Sequence, residues 1–242
     1  MEKLTRRDWL RHAVATGSGM ALWSWGSAHA SIDDSNLFLP LTAQRQALVY
    51  FTRAEADFLD AATGRLIPAD ALGPGAREAG VTFFLDQQMV GPYGRAERWY
   101  TQGPWREGTK EQGYQLKLSP AQLYRLAIGA LDSHCRSQFG GKPFAQIGAD
   151  RQDALLQDME KDKLELADAP VKPFFDLLLQ NTIEGFLADP MYGGNRDFAG
   201  WKLIGFPGPR YNYVEDIERY GQRYQQPPVG LSGRSGRIAS KG

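Results

Sequence analysis

The sequence predicts a mainly α-helical fold: a single irregular helical domain with long ordered loops and an aromatic- and glycine-rich C-terminal segment. Apolar residues recur at helical spacing in several stretches, two of which begin with capping boxes, and strand-like alternation is scarce. At 42% hydrophobic and 23% charged residues, the 242-residue chain has an ordinary globular composition. No internal repeat or change of composition marks a second domain. We therefore expect one domain over residues 31–230, with an export signal over 1–30 and a flexible tail over 231–242.

The first thirty residues predict a twin-arginine export signal and not a part of the fold. Arg6 and Arg7 precede a weakly apolar stretch of 18 residues that ends in the small-x-small sequence Ala28-His29-Ala30. A membrane anchor needs roughly 20 mostly apolar residues, and this stretch is shorter and contains several glycines and hydroxyl groups. Cleavage after Ala30 would leave a periplasmic protein. Since the twin-arginine route carries folded proteins, we expect a cofactor in this chain or in a tightly bound partner.

Two helices are predicted before residue 90. Thr52 and Glu55 form a capping box, after which apolar residues recur at helical spacing until Pro68. A second helix is expected from about Ala76 to Met89, because Gly91 is followed by a proline that stops it.

A long loop and a third helix follow. Residues 91–118 hold Gly, Pro and aromatic residues without a clear period, which predicts a long ordered loop of the kind that is often functional. Ser119 and Gln122 form a second capping box with Pro120 at the first helical position, and the helix should run to about Phe139.

Two more helices and an irregular segment complete the domain. A short amphipathic helix is predicted over 151–161, and an almost wholly apolar one over 173–188 should be central. Residues 192–224 hold eight aromatic side chains together with glycines and prolines that suppress regular structure. Large rigid aromatics on an irregular backbone suit an extended contact surface, and they suit a cover for the domain's own core equally well. Both interpretations stay open.

The reactive side chains of the mature chain are few. The signal takes two of the three histidines with it, so His134 and its neighbour Cys135 are the only His and Cys that remain. A Cys/His zinc site needs three or four ligands, and the motifs for c-type haem, iron–sulfur clusters and phosphate-binding glycine loops are missing. We therefore expect no catalytic, cofactor-binding or metal site in this chain. A net charge of −2 after removal of the signal also argues against a nucleic-acid partner.

Seven blocks of residues carry a resemblance to a known family. They are Arg65 to Asp70, Gly73 to Gly80, Gln102 to Trp105, Glu111 to Leu116, Glu184-Gly185, Asp189 to Asp197 and Gly200 to Gly208. With these blocks, the chain from its export signal to about residue 230 resembles the small subunit (subunit 3) of gluconate 2-dehydrogenase, from the membrane-bound FAD-dependent sugar and sugar-acid dehydrogenases. The last two blocks are long and specific.

The resemblance implies a periplasmic complex at the inner membrane. In it, an FAD-bearing large subunit of the glucose-methanol-choline type oxidises D-gluconate to 2-dehydro-D-gluconate, and a multihaem cytochrome c subunit passes the electrons to quinone. The small subunit is then a non-catalytic partner that exports and matures the flavoprotein and contacts the membrane only through the complex. The candidate partner interface consists of Tyr192, Gly193, Gly194, Asn195, Arg196, Asp197 and Trp201.

Two other classes of function stay open from the residues alone. A stand-alone periplasmic carbohydrate-active hydrolase would use His134 or the carboxylates of Glu184 and Asp189. However, His134 lies in a strongly periodic helix, and Asp189 directly precedes a proline, as a helix-terminal residue does. A carbohydrate-binding module would instead stack sugars on exposed aromatic side chains.

Overall fold

The computed structural model describes residues 47–232, apart from 101, 107, 110, 111, 167, 168, 223 and 225. The predicted export signal with Arg6, Arg7, Ala28 and Ala30, and the predicted tail from residue 233 onward, lie outside the described residues.

The mainly α-helical fold is confirmed. Six α-helices follow one another in the described part of the chain: α1 (Arg53–Leu66), α2 (Val81–Val90), α3 (Pro120–Gln138), α4 (Ala149–Glu160), α5 (Val171–Leu187) and α6 (Ala199–Ile204). Extended pairing within the described residues is limited to two isolated bridges, Asp70 with Gly73 and Leu166 with Ala169. No helix of the described residues is long and apolar enough to cross a membrane.

Both predicted capping boxes are present. The Thr52 hydroxyl accepts a hydrogen bond from the Glu55 amide at 3.3 Å, and the Glu55 carboxylate accepts one from the Thr52 amide at 2.7 Å. Ser119 and Gln122 repeat the pair at 3.3 and 2.9 Å, with Pro120 as the first residue of α3. These bonds use only residues three apart, which is why the sequence alone places the starts of α1 and α3 correctly.

The other helix starts differ from the prediction by a few residues. Helix α2 begins at Val81 and not at about Ala76, because the Ala76 amide bonds the Ile67 carbonyl at 2.8 Å and Gly80 adopts a left-handed φ of 78°. The preceding residues therefore form turns. Helix α5 begins two residues before the predicted Pro173, since a proline fits the first turn, where its missing amide has no intrahelical acceptor.

Helix α5 is the central element, as predicted, and packs against α1, α2, α3, α4 and α6. Its Phe174 and Phe186 are fully buried, and the Phe58 ring of α1 lies 6.3 Å from that of Phe174. Burying one such side chain contributes roughly 1.5–3 kcal/mol to folding. Arg65 and Asp153 join α1 to α4 by two hydrogen bonds of 2.6 Å each.

Beyond α5 the described residues are irregular except for α6 and three single 3₁₀ turns. The chain returns on itself near residue 230, where the Val229 amide donates to the Pro207 carbonyl at 3.1 Å. The Leu231 amide donates to the Asp189 carboxylate at 2.7 Å. The described part of residues 208–228, which we call the C-terminal loop, is thus closed at its base by a contact between its two ends and by one with Asp189, shortly after α5.

Candidate functional site

The candidate interface residues lie on the connection between α5 and α6, residues 188–198, and on α6 itself. Asp189, the second residue of this α5–α6 connection, is buried. One of its carboxylate oxygens accepts from the Met191 amide at 3.0 Å, and the other accepts from the Leu231 amide. Asp189 therefore ties the connection to the base of the C-terminal loop.

Asn195 closes the α5–α6 connection from inside. It is fully buried in a left-handed conformation with φ 47°, a region that asparagine tolerates better than most residues. Its side-chain amide donates to the Ala188 carbonyl at 2.7 Å and accepts from the Gly200 amide at 2.8 Å. One side chain thus joins the end of α5 to the first turn of α6.

The two glycines before Asn195 allow the backbone to lie directly on the helices. A Cβ at Gly194 would stand 2.1 Å from the Gly185 carbonyl oxygen of α5. Gly193 has a φ of 98°, and a Cβ there would stand 2.5 Å from the Phe83 ring of α2. A larger residue at position 194 would require the backbone to move, and one at position 193 would have a strained φ and would have to displace the Phe83 ring.

Trp201 faces inward and anchors α6. Its side chain is 5% exposed, and its indole N–H donates to the Leu187 carbonyl at 2.7 Å. Its ring stacks on Phe198 at 5.4 Å and meets the edge of Phe206 at 5.0 Å. The predicted interface set is therefore divided, because Gly194, Asn195 and Trp201 form the internal frame of the connection.

The side chains of Tyr192, Arg196 and Asp197, which are also in the candidate interface, face solvent. Tyr192 is 36% exposed and its neighbour Met191 is 50% exposed. Arg196 and Asp197 are exposed as well, and the Arg196 amide donates to the Ala79 carbonyl at 3.0 Å, just before α2. The backbone that carries these outward side chains is thus tied to the turn before α2.

The aromatic segment divides in the same way, so part of it covers the core and the contact-surface interpretation stays a prediction for the rest. Phe198 and Trp201 cover the core, whereas Tyr211, Tyr213 and Tyr220 of the C-terminal loop are exposed.

A carboxylate that was not singled out from the sequence binds the backbone of the segment just before α1. Asp86 of α2 is fully buried and accepts from the amides of Val49, Tyr50 and Phe51 at 2.8, 2.9 and 2.8 Å. The sequence offers no signal for this role, because the partners are backbone groups 35 to 37 residues away. We call these residues the Asp86 clasp.

A polar network crosses the interior between α3 and α5. The Tyr93 hydroxyl donates to Asn181 at 3.0 Å, and the Asn181 side chain donates to the Tyr124 hydroxyl at 3.1 Å. Burial raises the pKa of both phenols above the ordinary value, so both stay protonated. Partial desolvation also raises the pKa of Glu184 nearby, although the residue remains exposed at the surface of α5. The network links the loop after α2 to the central helix.

The residues that a hydrolase would use lie among side chains and backbone groups that stabilise the fold. Both carboxylate oxygens of Asp189 accept backbone hydrogen bonds. This structural role accounts for Asp189 without a catalytic carboxylate pair with Glu184. His134 lies near the end of α3, and its neighbour Cys135 is buried. Burial raises the pKa of the Cys135 thiol to about 11, which keeps it protonated and unreactive at neutral pH. Among the residues that the structure describes, no group of three or more His, Cys, Asp or Glu could hold a metal ion.

Comparison with known protein families gives a match to gluconate 2-dehydrogenase subunit 3 over residues 53–208. No curated protein and no solved structure matched the chain. The matched region includes all six α-helices and the α5–α6 connection, and it ends where the C-terminal loop begins. Because it spans more than half of the sequence, the chain belongs to the gluconate 2-dehydrogenase subunit 3 family.

Proposed function

We propose that this chain is the non-catalytic small subunit of a periplasmic, membrane-bound gluconate 2-dehydrogenase and serves the export and maturation of its FAD-bearing large subunit. The family match over residues 53–208 is the observation that carries this proposal. In the complex, the large subunit of the glucose-methanol-choline type converts D-gluconate to 2-dehydro-D-gluconate. A multihaem cytochrome c subunit takes the electrons to quinone and holds the complex at the inner membrane.

The amino-acid inventory supports an accessory role. The mature chain keeps a single His and a single Cys, and its sequence carries no haem-attachment or nucleotide-binding motif. Flavin and haem chemistry then belong to the partner subunits, each of which supplies its own cofactor-binding fold. A twin-arginine signal on a chain without a cofactor of its own is useful if that chain carries a folded, cofactor-loaded partner.

The outward face of the α5–α6 connection supports a place for that partner. Met191, Tyr192 and Arg196 belong to the residue types enriched at interface centres, and here they are exposed. The buried Asn195 and Trp201 hold the backbone beneath them by three side-chain hydrogen bonds to main-chain atoms. A rigid surface loses less conformational entropy on binding, which favours affinity.

The export role is tested by replacing the two arginines together. In cells that express all subunits, Arg6→Lys with Arg7→Lys should leave both this chain and the large subunit in the cytoplasm, since the pair is the recognition element of the signal. Cell fractionation with antibodies to each subunit measures the distribution. Arg11→Lys, which changes a base outside the pair, serves as the matched control and should be exported normally. A flavoprotein that still reaches the periplasm with the double variant would contradict the proposal.

The interface is tested by shortening its exposed side chains. Met191→Ala with Tyr192→Ala should weaken binding of the large subunit about tenfold or more, as truncation of central interface residues does. The thermal unfolding of the chain should change much less than the binding, because neither side chain belongs to the buried core. Tyr100→Ala removes an 84% exposed aromatic outside the connection and is the control. Equal co-purification of the double variant and the control would place the interface elsewhere.

A further inference from the structure

Asp189 joins the α5–α6 connection to a segment that follows the C-terminal loop. One of its carboxylate oxygens accepts from the Met191 amide at 3.0 Å, and the other accepts from the Leu231 amide at 2.7 Å. Gly230 lies directly against the same carboxylate, since a Cβ on this glycine would stand 2.9 Å from one of the oxygens. The backbones of Met191 and Leu231 are thus held next to each other by one buried side chain.

A third segment adjoins these two. The Val229 amide donates to the Pro207 carbonyl at 3.1 Å, which brings the chain just after α6 beside the segment that ends at Leu231. Phe206 directly precedes this contact, and its ring meets that of Trp201 edge-on at 5.0 Å. Three segments that are distant in the sequence are therefore neighbours beside the α5–α6 connection.

Each of the three segments exposes a large apolar side chain. Met191 is 50% exposed, Phe206 41% and Leu231 65%, and we call these three side chains the apolar patch. Isolated exposed apolar residues are ordinary on a protein surface, whereas several of them on adjoining segments are typical of a site for a partner. Because hydrogen bonds already hold the backbones that carry the patch, these backbones lose little conformational entropy when a partner binds.

The size of a stable interface indicates a contact surface larger than the α5–α6 connection. A specific complex buries about 800 Å² on each partner and uses roughly 20–30 residues a side. The connection spans only residues 188–198, and some of them, such as Gly194 and Asn195, are buried within the chain itself. A large subunit that binds Tyr192 must therefore contact neighbouring surface as well, and the apolar patch continues directly from the connection.

We propose that the large subunit docks on the apolar patch as well as on the α5–α6 connection, with Leu231 as a contact residue. This inference rests on the proposed function, because it takes the FAD-bearing large subunit as the occupant. It extends the contact surface beyond residue 208, where the family match ends.

Replacement of Leu231 by a charged residue tests the patch. Leu231→Lys should weaken binding of the purified full chain to the purified large subunit about tenfold or more, because a charged group would enter an apolar contact. Interferometry measures the dissociation constant. Leu72→Lys, at a 73% exposed leucine between α1 and α2, is the matched control and should bind as the wild type does.

Thermal unfolding of each variant separates weakened binding from loss of fold. Leu231 is mostly exposed, so Leu231→Lys should unfold close to the wild type. If it does not, Leu231→Ala takes its place, since it keeps the amide that donates to Asp189 and removes most of the apolar side chain. Leu231→Ala should weaken binding several-fold.

The outcomes distinguish this proposal from the partner role itself. If the wild type binds and Leu231→Lys binds as tightly as Leu72→Lys, the patch is not a contact surface and the partner role stands. A wild-type chain that does not bind the large subunit overturns both. Sedimentation of the isolated chain tests a second copy as the occupant. Self-association that Leu231→Lys abolishes while binding of the large subunit stays intact would also overturn the proposal.

Discussion

Asp86→Ala is expected to lower the free energy of unfolding by about 3 kcal/mol, because three backbone amides lose their acceptor at once, one in a buried hydrogen bond and two in partly buried ones. Each unsatisfied buried donor costs roughly 1–3 kcal/mol, and part of this is recovered since the buried charge disappears as well. For a domain of this size the change corresponds to a fall in Tm of roughly 6–12 °C. Thermal unfolding followed by far-ultraviolet circular dichroism measures it.

Two further variants separate the Asp86 clasp from a general effect of charge. Asp86→Asn keeps one acceptor oxygen, so its free energy of unfolding should lie between those of the wild type and the alanine variant. Asp57→Ala removes a half-exposed carboxylate of α1 that pairs with Arg53 on the surface, and it should cost less than about 1 kcal/mol. If Asp86→Ala unfolds within a degree or two of Asp57→Ala, the clasp does not stabilise the fold.

Gly194→Ala is expected to destabilise the protein by about 3 kcal/mol, because its new Cβ would stand 2.1 Å from the Gly185 carbonyl oxygen. That oxygen belongs to the backbone of the central helix, so the α5–α6 connection and not a flexible side chain must move. The movement would also disturb the Asn195 bonds to Ala188 and Gly200. Unfolding measurements should show the loss, and co-purification with the large subunit should fall with it.

A Gly→Ala substitution at another position is expected to change the stability in the opposite direction. Gly129 lies in the interior of α3, and a Cβ there meets nothing within 4 Å. Gly129→Ala should therefore stabilise the protein by about 0.5–1 kcal/mol through its higher helix propensity. If both glycine variants shifted the unfolding transition in the same direction, close approach to α5 would not be the reason that residue 194 is glycine.

The Gly194 prediction bears on partner binding, because this residue supports the α5–α6 connection. Gly194 and Asn195 hold the exposed Met191 and Tyr192 above α2 and α5, so a destabilised connection weakens binding indirectly. The Met191 and Tyr192 variants should weaken it directly with the fold intact. Measuring both stability and binding for the Gly194 variant and for the Met191 and Tyr192 variants separates residues that support the interface from residues that contact the partner.

The amino-acid sequence by itself determined the helical fold class and the starts of α1 and α3, since periodicity and capping boxes depend on residues a few positions apart. It also predicted a central place for α5, because a helix apolar on nearly all sides has to be buried. The family followed from the blocks that include the α5–α6 connection, and the match over residues 53–208 confirmed it.

Tertiary structure decided how those residues are used. Asn195 stands in the same specific block as Tyr192 and Arg196, yet it is buried and they are exposed. Trp201, in the next block, is buried as well. The start of α2 and the role of Asp86 depend on backbone partners brought from distant parts of the chain. Local sequence encodes propensity and pattern, whereas burial and long-range hydrogen bonds exist only once the helices have packed, so only the folded chain separates the frame from the surface.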